Sequence, residues 1–107
     1  MPKIKLNVPH ELERDDVINR LKRVRDDIQA NYGSQISKLH EEWRDDSIEF
    51  AITAAGITVQ GMIFVMHQEV RIESSFPLMA MPFRGLIETQ IRKTIVDALE
   101  DDKSNPS

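Results

Sequence analysis

The sequence predicts a two-layer α+β domain, in which two helices cover one face of a mainly antiparallel, five-stranded sheet. Two observations support this prediction. Apolar and polar residues alternate in five short stretches, as expected for half-buried strands. In two longer stretches the apolar residues recur every three or four positions, as in amphipathic helices. The order is strand, helix, four strands, helix, and short turns between the last four strands favour antiparallel pairing.

The first strand and the first helix are the clearest of these elements. The strand "KIKLNV" places three apolar side chains on one face: Ile4, Leu6 and Val8. Pro9 ends it, and a helix is predicted from about Arg14 to Tyr32. The apolar stripe of this helix consists of Val17, Leu21, Val24 and Ile28. Gly33 follows the helix and is expected to cap it in the left-handed conformation.

Four strands in a meander are predicted between about Ser37 and Phe76. The third of them, from Ile57 to Met66, contains Gly61, where a missing side chain would let another backbone or helix come close. One of its faces is apolar throughout. The opposite face begins with polar residues and becomes apolar towards its end, at Met62, Phe64 and Met66.

The segment "FPLMAMPFRG" leads from the last strand into the second helix. Pro82 suits a first helical turn, because the N–H that proline lacks has no partner there. The predicted buried stripe of this helix is Phe83, Ile87, Ile91, Ile95 and Leu99. We therefore expect a single domain over residues 1–99 and a disordered C-terminal tail over residues 100–107, which is charged and has no apolar residue.

Composition narrows the range of functions. The chain has 107 residues, 40% of them hydrophobic, with a formal charge of −4. This acidic balance argues against nucleic acid as a partner. The basic cluster in "NRLKRVRDD" is interpreted as a solvated helix face with intrahelical ion pairs, or else as a contact for an anionic partner. No segment is long and apolar enough to span a membrane, and a cytoplasmic location is the expectation.

The sequence contains no recognisable catalytic, cofactor or metal motif. Cysteine is absent, and His10, His40 and His67 lack the spacing of a helical zinc site. We therefore expect exposed or locally hydrogen-bonded histidines, no cofactor and no metal. An enzyme is the least favoured interpretation. It would need polar groups converging at a cavity, and the candidates are Arg44, Arg71, His40 and His67.

An excess of large, flexible apolar side chains is the most informative feature. They are Met62, Phe64, Met66, Leu78, Met79 and Met81. Methionine adapts to irregular surfaces, which suits either a partner contact or an apolar ligand. Three interpretations stay open at this level: a loop that plugs the core, an interface between copies of the chain, or the wall of a ligand pocket.

Several short pieces of the sequence resemble the polyhydroxyalkanoic acid system protein family, small bacterial proteins encoded beside polyester synthesis genes. They are "PKIKLNVPHEL", the helix end "YG", "WRDDSIEF", and "PFRGLIETQI" from Pro82 to Ile91. The resemblance extends to about Leu99. It implies an association with storage-polyester metabolism or granules, in a family with no established reaction, and it supplies no active site.

The leading hypothesis is thus a non-enzymatic accessory or binding protein, acting through the apolar surface made by those six side chains. Its expected partners are a second copy of the chain in a homodimer or larger homo-oligomer, a polyester granule surface, or an apolar small molecule. The alternative is a carrier of small apolar ligands with a helix-grip fold, in which the sheet and the second helix enclose a cavity of a few hundred Å³.

Overall fold

A computed structural model of the chain describes residues 2–100, and the fold is α+β as predicted. The strands are β1 (Lys3–Pro9), β2 (Ile36–Trp43), β3 (Ser47–Ala54), β4 (Ile57–Val65) and β5 (Glu69–Ser75). The helices are α1 (Arg14–Tyr32) and α2 (Arg84–Glu100), and short 3-10 turns occupy Gly33–Gln35 and Leu78–Phe83. Of the predicted tail, residues 100–107, only Glu100 is among the described residues, and it is the last residue of α2.

The five strands form one antiparallel sheet in the order β1-β5-β4-β3-β2. The last four strands make the predicted meander, and β1 adds to its far edge beside β5. Alternation indicates which face is covered: exposed and buried residues alternate along β1, and half-buried and buried residues alternate along β5. Both helices pack over that apolar face.

The best-packed part of the core lies over β1 and β5. It combines the inner faces of these strands with the N-terminal half of α1 and the C-terminal half of α2. Its fully or almost fully buried side chains include Ile4, Leu6, Val8, Val17, Leu21, Val70, Ile72, Phe76, Ile95 and Leu99.

Arg20 joins the two helices within this packed part. Its guanidinium Nε donates to Asp16 one turn earlier at 3.1 Å, and an Nη donates to the Ala98 carbonyl at 3.0 Å. A cation is favourable there because carbonyl groups at a helix C-terminus carry partial negative charge. The predicted intrahelical pair exists, but a solvated helix face is wrong for Arg20, which is 6% exposed.

Two glycines show how the sheet is built. A Cβ atom added to Gly61 would lie 2.1 Å from the Glu73 carbonyl oxygen of β5, which confirms the predicted close backbone approach. Between β3 and β4 the chain reverses through Ala55 and Gly56, both with positive φ, at 53° and 77°. A two-residue turn of this kind matches the twist of a β-hairpin.

Two details of the helix ends differ from prediction. Gly33 has φ −54°, so it does not cap α1 in the left-handed conformation; the chain tightens into a 3-10 turn instead. Helix α2 begins at Arg84, and Pro82 lies within the preceding 3-10 turn. Because that turn winds differently from an α-helix, Phe83 falls out of line with the buried stripe and is 53% exposed.

Candidate functional site

An apolar cleft lies between the two helices and the inner face of β2, β3 and β4. Its volume is about 260 Å³. The apolar residues that line it are Leu21, Val24, Ile28, Leu39, Trp43, Ile48, Phe50, Ile52, Ile63, Ile91 and Ile95. Four polar residues complete the lining: Arg25, Glu41, Gln90 and Thr94.

The same periodicity that builds the core also builds this cleft. Val24 and Ile28 continue the apolar stripe of α1 beyond the packed residues Val17 and Leu21. On α2, Ile91 precedes the buried Ile95 by one turn. Where the two stripes reach β2 and β3, the facing side chains Leu39, Phe50 and Ile52 are only half-buried, although Ile48 is buried. The helices therefore cover the β1–β5 side fully and leave an apolar opening on the β2–β3 side.

A polar cluster bridges α1 and β2 at the rim of the cleft. The Glu41 carboxylate accepts hydrogen bonds from an Arg25 Nη at 2.6 Å and from the Trp43 indole N–H at 2.9 Å. The Arg25 guanidinium carbon also lies 5.4 Å from the centre of the Trp43 ring, and Lys22 Nζ lies 5.9 Å from it. Both distances suit cation–π attraction. The cluster fixes the orientation of the Trp43 ring beside the apolar lining.

The charges of this cluster are balanced within the protein. Arg25 Nε donates to Asp26 at 3.1 Å, so a single guanidinium faces two carboxylates. The hydrogen bond with Glu41 is the main reason that the pKa of Arg25 is raised. Arg25 therefore stays charged, and its charge is largely matched before any ligand arrives.

The six apolar residues singled out from the sequence fall into two separate groups. Met62 and Phe64 lie half-buried on the outer face of β4, away from the helices, and Met66 follows the strand end. Most of their strand neighbours on that face are charged: Met62 pairs with Glu49 and Glu73, and Phe64 pairs with Arg71 and with the uncharged Ser47. Three of the six thus form a small apolar strip among charged residues.

The other three, Leu78, Met79 and Met81, lie in the 3-10 turn after β5. Leu78 is 74% exposed and Met79 is 69% exposed. The buried residue of this turn is Ala80, and its N–H donates a hydrogen bond to the Pro77 carbonyl. The high exposure of Leu78 and Met79 shows that these two side chains do not pack on the strip of β4.

The polar candidates for catalysis do not converge on the cleft. His40 and Arg44 lie near Glu49 on the exposed face of β2 and β3, and Arg71 lies on the outer face of β5 beside Glu69. His67 is in the β4–β5 turn. Within residues 2–100 no three His, Asp or Glu side chains are grouped closely enough to hold a metal ion.

His10 is a structural histidine at the end of β1. Its Nδ1 accepts the Leu12 N–H at 3.0 Å, and its Nε2 donates to the Met66 carbonyl at 2.9 Å. Both ring nitrogens are thus used in fixing the β1–α1 connection to the end of β4. A second, wider recess adjoins His10 and His67, but mostly charged and polar residues line it.

Sequence reasoning missed the polar residues of the cleft. The signal is faint: Arg25 and Glu41 look like ordinary surface charges, and Trp43 looks only like an inward strand residue. The lining of the cleft is spread over five elements of the fold. Only the sheet order, which places β2 beside β3 at the edge, brings these residues opposite Gln90 and Thr94 of α2.

Solved structures support the fold. A crystal structure of the protein TTHA0849 from Thermus thermophilus is similar with a TM-score of 0.55 and 12% identity, covering 92% of each chain. The solution structure of the Aha1 dimer from Colwellia psychrerythraea is similar with a TM-score of 0.62 and 15% identity, covering 96% of this chain and 99% of that one. At such identities the likeness establishes the shared helix-grip-like fold and nothing further.

The sequence comparisons give the family. No curated protein matches the sequence. No helix among the described residues is both long and apolar enough to cross a membrane. The family profile of polyhydroxyalkanoic acid system proteins matches residues 4–99, which is nearly the whole chain and includes every element of the sheet. The chain therefore belongs to the polyhydroxyalkanoic acid system protein family.

Proposed function

We propose that the chain is a non-enzymatic binding protein that holds an apolar small molecule in the cleft between its helices. The observation that supports this function is the cleft itself, with about 260 Å³ of space lined by eleven apolar residues. Binding sites for small molecules are typically concave and mostly apolar, with a few polar groups. An apolar cavity of ~150 Å³ accommodates benzene, so this cleft has room for roughly ten non-hydrogen atoms.

The proposal of a binding role rather than a reaction rests on the polar groups. Arg25, Glu41 and Trp43 are engaged with one another at the rim. The other two polar lining residues, Gln90 and Thr94, are neutral and carry no proton that titrates near neutral pH. General acid or base catalysis would need such a group beside the bound molecule. The cleft is thus suited to holding a ligand.

The test uses an uncharged apolar probe, butylbenzene, and the single tryptophan of the chain, Trp43, which lines the cleft. We expect saturable changes in Trp43 fluorescence on titration. Ile91→Phe should abolish them, because the larger ring fills the cleft. Ile87→Phe is the matched control one turn earlier on α2, outside the lining, and should bind as the wild type does. The proposal fails if the wild type gives no saturable change.

The biological setting proposed for this activity is storage-polyester metabolism in the cytoplasm, as an accessory protein at granules. Membership in the polyhydroxyalkanoic acid system family supports it. The exposed side chains Leu78, Met79 and Met81 would make the contact with the granule surface, because an apolar polymer offers them a surface that excludes water. Met62, Phe64 and Met66 form the second proposed contact strip, on the opposite face of the sheet.

Co-sedimentation with isolated polyester granules tests this setting. The triple variant Leu78→Ser, Met79→Ser, Met81→Ser should lose granule binding, since all three side chains are exposed and the fold does not depend on them. A matched variant, Met62→Ser with Phe64→Ser, reports on the strip on β4. If the wild type stays in the supernatant, granule association is excluded.

Self-association is a second candidate role for the same surface. Besides Leu78, Met79 and Met81, the neighbouring Phe83 and Leu86 are more than half exposed. Contiguous exposed apolar residues of this kind mark interaction sites, and the similar Aha1 structure is of a dimer. Sedimentation equilibrium should give a homodimer or larger homo-oligomer for the wild type and a monomer for the triple serine variant. A monomeric wild type at high concentration would rule this role out.

A further inference from the structure

The polar groups of the cleft indicate which chemical class of apolar molecule it takes. Two sets lie on opposite sides: Arg25 and Glu41 from α1 and β2, and Gln90 and Thr94 from α2. They differ in whether their hydrogen-bonding capacity is already used. This difference predicts whether the cleft prefers a ligand with a carboxylate head group or a ligand with a neutral head group, such as an alcohol or an ester.

The Arg25 side of the rim is poorly suited to an anion. Arg25 bonds both Glu41 and Asp26, and Lys22 beside the Trp43 ring brings the local formal charge to zero. A carboxylate placed there would bring a third negative charge to a guanidinium that already has two carboxylate partners. Its lost hydration would then be poorly compensated, because burying a charge is costly unless it is paired.

The α2 side of the cleft offers neutral and unused groups. Gln90 and Thr94 are one helical turn apart, so their side chains project from the same side of α2. Within residues 2–100 neither side chain has a hydrogen-bond partner in the protein, although both line the cleft. An amide and a hydroxyl can each donate and accept, which matches the oxygen of an alcohol or an ester.

We infer that the cleft selects an apolar chain with a neutral oxygen-containing head group, held by Gln90 and Thr94, over the corresponding carboxylate. This inference rests on the proposed function, because it assumes that the cleft binds an apolar molecule. The ligand is an alcohol or ester of roughly ten non-hydrogen atoms, a size set by the volume of the cleft. The chain lies against Ile52, Ile63 and Ile91, and the oxygen faces α2.

The experiment compares octan-1-ol, methyl octanoate and octanoate at neutral pH, each titrated against Trp43 fluorescence. The two neutral ligands should bind with a Kd about tenfold or more below that of octanoate, a difference of roughly 1.4 kcal/mol. Equal or tighter binding of octanoate overturns the inference and leaves the proposed function standing. If none of the three ligands binds and butylbenzene does not bind either, both the inference and the proposed function fail.

Three variants separate the roles of the polar groups. Gln90→Leu and Thr94→Val keep side-chain size and should weaken octan-1-ol binding by about fivefold each, the effect of one lost hydrogen bond. Octan-1-ol binding should weaken more than butylbenzene binding in each variant, since butylbenzene makes no such bond. Thr89→Val, on the same helix but outside the lining, is the control. Unchanged octan-1-ol binding in both cleft variants contradicts the inference.

Glu41→Gln supplies the complementary gain of function. It removes one of the two carboxylates that face Arg25, so the guanidinium can pair with an added anion. The ratio of the octanoate Kd to the octan-1-ol Kd, measured in the same variant, should therefore fall by about tenfold relative to the wild type. A thermal melt establishes that the variant is folded. If octanoate binding is unaffected in the folded variant, matched charge is not what excludes the carboxylate.

Discussion

The helix-covered face of the sheet has two halves that are packed very differently, one over β1 and β5 and the other over β2 and β3. The same alternation of apolar and polar residues specifies both halves. On the β1–β5 side Ile4 and Ile72 are each 1% exposed, and both helices contribute buried residues. On the β2–β3 side Leu39 and Ile52 face the same layer and remain half-buried. One half thus supplies a close-packed core, and the other keeps an apolar opening.

The difference teaches how a chain of this size can combine a stable core with an open apolar cleft. A packed interior allows few voids, because each void loses dispersion contacts as well as apolar burial. Here the opening is confined to the edge formed by β2 and β3, where the Arg25, Glu41 and Trp43 cluster fixes the rim. Leu21 and Ile95 belong to both regions, so the packed core forms one wall of the cleft.

The largest expected effect compares two isoleucines. Ile72→Ala should lower the free energy of unfolding by about 2 to 5 kcal/mol, because it opens a cavity in the packed side. Ile52→Ala should cost only about 1 to 2 kcal/mol, since that side chain is half-buried at the cleft. Urea denaturation of both variants measures the difference. Equal losses would mean that the two sides are equally packed.

A second comparison uses two glycines. Gly61→Ala should destabilise by about 1 to 3 kcal/mol, because the new Cβ meets the Glu73 carbonyl of the neighbouring strand and the backbone must shift. Gly85→Ala places its Cβ in open space in the first turn of α2, and should stabilise by up to about 1 kcal/mol through helix propensity. Thermal melts should move in opposite directions. A shift in the same direction for both would argue against the close approach at Gly61.

A third comparison concerns hydrogen bonds on each side. His10→Phe removes the hydrogen-bond partners of the Leu12 N–H and the Met66 carbonyl. It should lower the free energy of unfolding by about 1 to 3 kcal/mol. Trp43→Phe removes one hydrogen-bond donor to Glu41, but the carboxylate keeps its hydrogen bond from Arg25. The free energy of unfolding should therefore fall by less than about 1 kcal/mol. Chemical denaturation followed by far-UV circular dichroism reports both. A larger loss for Trp43→Phe would reverse the comparison.

The smallest effect is expected on the exposed face of α2, outside both regions. The hydrogen bond from Lys93 to Asp97 raises the pKa of Lys93 above its ordinary value of 10.5. A raised folded-state pKa contributes stability below 10.5 that disappears as the pH rises through the folded value. Asp97→Asn should return the Lys93 pKa to the ordinary value in an NMR titration, with only a small decrease in Tm at neutral pH because the pair is exposed to solvent. An unchanged Lys93 pKa would show that the pair does not persist in solution.

Much of the architecture could be predicted from local patterns. Alternation identified β1 and the meander, and the stripes of Val17 and Leu21 and of Ile95 and Leu99 identified the helices. Local geometry was harder to predict: Gly33 was expected to adopt a left-handed cap, and Phe83 was expected to begin the buried stripe. Gly33 and Phe83 each lie in a 3-10 turn that joins two elements of the fold. Such short turns leave no repeating pattern in the sequence.

The candidate site was predicted only in part. A cavity of a few hundred Å³ between sheet and helix was foreseen as the mark of a carrier, but none of its polar residues was identified. Gln90 and Thr94 gave no local signal, because a polar pair one turn apart is ordinary on a helix surface. Exposed Leu78 and Met79 stood out in the sequence because a run of large apolar side chains in a loop is unusual, and their proposed role as a contact surface stays a prediction.

The sequence by itself determined the fold class, because strand and helix periods depend on neighbours two to four residues apart. It also determined the family, through short pieces spread over residues 4–99. The tertiary structure alone decided that β2 and β3 lie under the gap between the helices, and that Leu78, Met79 and Met81 lie apart from Met62, Phe64 and Met66. These outcomes depend on strand order and helix placement, which bring together residues far apart in the chain.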